Sequence, residues 1–361
     1  MTSKLHHIQA LRGIAASMVV VDHAMGPLVK HGVLPTYFDT VRYNFGALGV
    51  DIFFVISGFI MIRTSGEDFG SLQNSLSFAM KRIIRIVPIY WVTTLLIFLF
   101  HTHVGGSANV YELFKSLLFI PYAAGDRLLM EPLLGPGWTL NYEMFFYALF
   151  SLALIFPRRI GLPGLFIAFA GITVGGAALR PLSDASNPST ILTFWSHPII
   201  LLFAAGVCIG SLERKFRGSF HLSYSFQIAC ILITSQVFAV IVFRIPADLP
   251  FSGAALFWAP DILAVAVCVV EAQASGSRFE FYAERIGDAS YSTYITHVFV
   301  LAALNKVLPI STAVLSATYL IVALLGSNLV GIFVNRSFEI PVTSFLRNSL
   351  WGTRKRIGSA A

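Results

Sequence analysis

Apolar residues run in blocks of about twenty along the whole chain, separated by short polar stretches. Blocks of that length match the roughly 30 Å of hydrocarbon that a membrane helix must cross. A helix satisfies its own backbone hydrogen bonds, so lipid tolerates it. A barrel would show short alternating segments instead. The pattern predicts ten spans, at 8–25, 45–63, 84–102, 138–156, 162–179, 194–212, 226–243, 254–271, 289–308 and 313–335. A shorter apolar segment at 111–123 predicts an interfacial or re-entrant helix before the fourth span. The expected fold is all-α, a polytopic transmembrane helical bundle of about ten spans.

Composition agrees. Of 361 residues, 56% are hydrophobic and only 12% charged, and the mean hydropathy is +0.75. That leaves too little polar surface for a soluble protein of this size. Charge supplies the orientation. With the N-terminus in the cytoplasm, 18 of the 25 Lys and Arg fall on the cytoplasmic side and 7 outside, as the positive-inside rule prefers. Both termini are then cytoplasmic. The same bias accounts for a basic pI of 9.4 with no nucleic-acid partner. Residues 1–340 read as the membrane domain and 341–361 as a basic cytoplasmic tail. The first apolar run contains Arg12 and ends in Asp22-His23, so it is expected to stay as a helix rather than be cleaved as a signal. Cys208, Cys230 and Cys268 lie in apolar segments without paired spacing. They read as packing residues, and no metal site is expected.

The polar residues inside these spans carry the candidate chemistry. Arg12 and His23 are eleven residues apart in LRGIAASMVVVDH. At 100° and 1.5 Å per residue they share one helix face about 16 Å apart, with Asp22 roughly a quarter-turn away. Asp51 enters with the second span, where a carboxylate also suits a helix start. Arg82 and Arg85 share a face at the start of the third span. They suit either membrane anchoring or a phosphate clamp. Thr139, Glu143 and Tyr147 form an i, i+4, i+8 stripe on the fourth. Ser290, Tyr294 and His297 lie along one face of the ninth. Each alone has a plain structural reading, as an anchor, a cap or a packing residue. Two histidines, acids and hydroxyls spread over four spans favour a functional site, because intramembrane ionisable groups are costly.

Six strings resemble, in order, those of the acyltransferase 3 family of bacterial membrane acyltransferases. They are LRGIAASMVVVDH with its Arg–ten residues–His spacing, GVDIFFVISGF, RIIRIVPIYW, WTLNYEMFFY, SYSTYITH and FEIPVTSFLR. Val298-Phe299 stands where the family often carries Trp or Pro. The resemblance, strongest to exopolysaccharide-production acetyltransferases, implies an enzyme of the bacterial inner membrane. It implies an acyl-CoA donor, expected to be acetyl-CoA, and a glycan hydroxyl, free or lipid-linked, as acceptor. In that scheme His23 is general base on the acceptor hydroxyl or is itself transiently acylated. Asp22 or Asp51 orients the imidazole, and Arg12, Arg82 and Arg85 hold the CoA phosphates. Glu143, Tyr147, Ser290, Tyr294 and His297 line the acceptor side. The competing class is a transporter or flippase of a glycan or anionic substrate, since intramembrane acids and histidines also make proton relays. No clear internal repeat supports it.

Overall fold

A computed structural model describes residues 5–103, 109–122, 130–179, 191–216, 224–245, 251–270, 278–308 and 313–357. Among these residues every regular element is helical. The α-helices are α1 (His6–Lys30), α2 (Tyr37–Ser65), α3 (Leu72–His103), α4 (Val110–Leu117), α5 (Trp138–Ile155), α6 (Arg158–Leu179), α7 (Ile191–Trp195), α8 (Leu201–Phe216), α9 (Ser225–Phe243), α10 (Phe251–Val269), α11 (Arg278–Asp288), α12 (Ser290–Val307), α13 (Ala313–Val334) and α14 (Ile340–Ile357). A π-helical turn, Asn335–Glu339, precedes α14.

The described residues of the ten predicted segments are mainly helical, with a break at 196–197 in the sixth, and residue 271 lies outside the described residues. Among the described residues seven stretches are long and apolar enough to cross a membrane: Tyr37–Ser65, Leu72–His103, Gly135–Ile155, Arg158–Ala178, Thr193–Glu213, Ser225–Phe243 and Leu315–Leu350. α10, 19 residues long, contains the apolar stretch Leu256–Val269. α1 and α12 fall outside the seven, and their polar residues explain why: α1 carries Arg12, Asp22 and His23, and α12 is rich in Ser, Thr and Tyr. The segment predicted at 111–123 forms α4, started by a capping box between Asn109 and Glu112, which satisfies two orphan amides at the helix start. Residues from 341, read as a tail, are helical through Ile357, and α14 packs against α3.

The chain divides into two compact units, Met1–Arg63 with Leu202–Asn335, and Thr64–Leu201 with Arg336–Ala361. In the first, α1 is the hub, packed against α10, α11, α12 and α13. Its small residues let neighbouring backbones close in. At Gly287 of α11 any Cβ would strike the Gln9 backbone. α2 and α8 meet through a reciprocal pair: a Cβ on Gly58 would strike the Phe203 carbonyl, and one on Gly206 the Val55 carbonyl. α1 ends where Gly32 takes a φ of 71°, and the Val33 amide caps the Leu28 carbonyl at 2.9 Å, a stop that glycine makes without strain. The Asn44 amide then ties α2 to the end of α9 through the Ile245 carbonyl at 2.9 Å.

In the second unit α3 packs on α4, α5 and α14, and α5 on α6. Ser75 bonds the Ser151 carbonyl at 2.6 Å, and Trp91 bonds the Leu117 carbonyl at 2.9 Å. In both units the outward faces are apolar. Ile321, Leu325, Leu329 and Phe333 recur every four residues on α13 and are exposed, as are Leu95, Leu96, Leu99 and Phe100 on α3. Apolar stripes of this kind suit lipid rather than water.

Candidate active site

α1 is one unbroken helix, so Arg12 and His23 keep the one-face relation read from their spacing. The His23 ring nitrogen Nδ1 lies 2.9 Å from the Val19 carbonyl. A carbonyl has no proton to give, so Nδ1 carries the hydrogen and Nε2 keeps its lone pair. The side chain is 40% exposed. Beside it lies His297 of α12, with ring centroids 5.0 Å apart and the planes edge to face at 71°. His297 donates from Nδ1 to the Tyr294 carbonyl at 2.8 Å. It is wholly buried, and its Nε2 has no hydrogen-bond partner among the described residues. Two imidazoles from two helices therefore both leave Nε2 without the ring hydrogen. A buried nitrogen without a partner is costly to keep, which makes the pair a better site than either ring alone. Tyr294 stands next to it, its ring 6.1 Å from His297 and 5.9 Å from Phe53. Ser290, two turns earlier on α12, is fully buried, and its hydroxyl lacks a partner among the described residues.

Asp22 faces two basic groups. Its carboxylate accepts from Arg42 Nη1 at 2.9 Å, whereas its distance to His23 Nδ1 is 3.6 Å, long for a hydrogen bond. Arg42 also donates to Asp39 from Nε at 2.7 Å. The backbone thus holds the His23 ring, while Asp22 bonds Arg42 and stays within ion-pair distance of His23. Asp51 is buried in a different cluster of the same unit. It accepts from the Trp258 indole and lies close enough to Asp261 for their charges to repel. Gln236 donates to Asp261 at 3.3 Å and to the Phe257 carbonyl at 2.6 Å. Arg12 is 8% exposed, and its guanidinium bonds Gln9 Oε1 at 2.9 Å.

The other four candidates belong to the second unit. Tyr147 donates its hydroxyl to Glu143, one turn away on α5. The Arg82 guanidinium lies 5.3 Å from the Tyr147 ring centroid and 5.1 Å from that of Phe78, a cation–π arrangement. Arg82, Glu143 and Tyr147 are therefore one cluster, although the sequence pattern divides them between donor and acceptor. Thr139, the first member of the predicted stripe, bonds the Pro136 carbonyl at 3.0 Å. Arg85 makes no ion pair or hydrogen bond among the described residues. Sequence reasoning missed Arg42, Asp39, Asp261, Gln236 and Trp258. Asp261 had a legible signal, a carboxylate inside the apolar run 254–271. Arg42 had none, since it counted only as one of the outer basic residues. Among the described residues no group of three or more His, Cys, Asp or Glu could hold a metal ion.

A family model described as an acyltransferase domain matches residues 5–334. The chain belongs to the acyltransferase 3 family. That match encloses every candidate residue, from Arg12 to His297. The chain is similar to the exopolysaccharide production protein ExoZ of Rhizobium meliloti (strain 1021), 32% identical over 310 residues, 83% of this chain and 90% of the relative. It is also similar to the acyltransferase MdmB of Streptomyces mycarofaciens, 26% identical over 71% of this chain and 68% of the relative. Nodulation protein 10 of Rhizobium leguminosarum bv. viciae is 26% identical over 82% of this chain and 83% of its own. No solved structure matches.

Proposed function

We propose that this protein is an inner-membrane O-acyltransferase that moves an acyl group, expected to be acetyl, from cytoplasmic acyl-CoA to a hydroxyl of a surface glycan. The single observation that carries the reading is the histidine pair. His23 is fixed through Nδ1, its Nε2 lone pair is available, and the family is one of acyltransferases. Exopolysaccharide production in the name of a 32% identical relative supports the glycan acceptor.

In this scheme His23 Nε2 accepts the proton of the acceptor hydroxyl as its oxygen bonds to the thioester carbonyl carbon. The tetrahedral intermediate collapses with cleavage of the carbon–sulfur bond. The imidazolium returns its proton to the sulfur, releasing CoA thiol and the glycan ester. The resemblance assigns the CoA phosphates to Arg12, Arg82 and Arg85, and Arg85 is uncommitted enough to take one. The same reading places ten spans in the bilayer with both termini in the cytoplasm.

The test uses purified full-length protein in detergent with acetyl-CoA. The acceptor is the cell's own surface polysaccharide, stripped of esters by mild alkali. The expected result is release of CoA thiol together with acetyl ester on the polysaccharide by mass analysis. Thiol release without ester on any glycan, or no thioester consumption, overturns the reading.

A further inference from the structure

A cavity of about 950 Å³ opens in the first unit where α1 ends, α2 begins and α12 ends. Its polar walls are Lys30, His31, Thr36, Asp39, Arg42 and Asn305. The volume is at the upper end of the range for small-molecule sites.

The cavity begins about one turn beyond His23 on the same face of α1, and neither histidine lines it. Gly26, Pro27 and Lys30 line it, and they lie three, four and seven residues beyond His23. That spacing is one stripe of a helix. At 1.5 Å per residue the lining starts about 5 Å from His23 along the axis and ends about 10 Å away. His23 is the partly exposed member of its pair. Gly26 lies under the Arg42 guanidinium, which a Cβ there would meet at 3.7 Å, an ordinary packing distance.

The polar groups are presented, not spent. Arg42 spans Asp22 and Asp39, so the wall between cavity and histidine is held in place. Both contacts of Arg42 to Asp39 go to Oδ1, and Asp39 Oδ2 makes no bond among the described residues. Lys30, Thr36 and Asn305 make no side-chain hydrogen bond or ion pair among the described residues. The set is mixed, with an ammonium donor, a carboxylate acceptor, and an amide and a hydroxyl that do both. A sugar hydroxyl is itself both donor and acceptor, so it needs such a mixture.

We infer that this cavity is the acceptor subsite and that it holds the terminal sugar of the glycan, with the reacting hydroxyl directed down the α1 face toward His23. The inference rests on the acyltransferase reading above. It assigns acceptor recognition to Asp39, Asn305, Lys30 and Thr36. The Lys/Arg bias places this end of α1 outside, so the glycan enters from the outer face.

The test measures initial rates with acetyl-CoA and alkali-stripped oligosaccharides cut from the cell's own surface polysaccharide. Asn305→Ala and Lys30→Gln, both at exposed positions, should each raise the acceptor KM about threefold to tenfold, the worth of one lost hydrogen bond. The donor KM should stay within twofold. Gly26→Val crowds the Arg42 guanidinium in the cavity lining and should raise the acceptor KM at least as much. Asp39→Asn also releases Arg42, so its level of inserted protein is matched before comparison. Wild-type acceptor KM in Asn305→Ala, Lys30→Gln and Gly26→Val, with transfer proceeding, overturns the subsite. A wild-type protein that consumes acetyl-CoA but esterifies no glycan overturns the parent reading instead, and the subsite with it.

Discussion

At the scale of the residue, the decisive atom is His23 Nε2. Its partner nitrogen is held by the Val19 carbonyl on the same helix, so the tautomer is set without a carboxylate. This separates His23 from Asp22 in a measurable way. His23→Ala should lose roughly 10²-fold or more in kcat, the usual worth of a general base, and added acyl-CoA should not restore it. Asp22→Asn should cost less in kcat, because it loosens Arg42 and Asp39 rather than the ring. Equal losses in the two variants would mean that Asp22 acts directly on the imidazole. Arg85→Ala should raise the apparent donor KM and recover at high acyl-CoA, as loss of a ground-state contact does. All rates are compared at equal levels of inserted protein.

At the scale of the element, close helix contacts depend on missing side chains. Gly58 on α2 faces the Phe203 backbone, so Gly58→Val must push α8 away or distort α2. Overpacking of this kind costs roughly 1–3 kcal/mol and should lower the melting midpoint in detergent. Gly164 on α6 is the opposite case, with open space for 4 Å around the point a Cβ would occupy. Gly164→Ala should be neutral or raise the midpoint, since alanine is the better helix former by roughly 0.5–1 kcal/mol. Equal midpoints for Gly58→Val and wild type would show that the α2–α8 contact is looser than these positions imply.

At the scale of the whole molecule, orientation follows from charge. With 18 basic residues assigned to the cytoplasm against 7 outside, both termini should be cytoplasmic and the number of spans even. Fusions at the C-terminus should be active with a cytoplasmic reporter and silent with a periplasmic one. The opposite pattern would mean an odd number of spans and would turn the cavity at the end of α1 inward or leave α14 outside.

Much of this was legible in the sequence because lipid enforces a simple rule. Long apolar runs must be helical, so the ten predicted segments mainly are. The spacing of Arg12 and His23 was legible because it lies within one helix, where the 3.6-residue period alone fixes relative position. The ordered strings were enough for the family. Contacts between helices far apart in sequence were not legible, because periodicity says which face a residue takes and not what that face meets. Only tertiary structure paired His23 with His297, 274 positions later. It turned Asp22 to Arg42, grouped Asp51 with Asp261, and set Arg82 on Tyr147. It also made a cavity from three helix ends whose residues looked like ordinary loop polarity in the sequence. The physical reason is the same in each case. A buried polar group must find a partner, and the partner is chosen by packing.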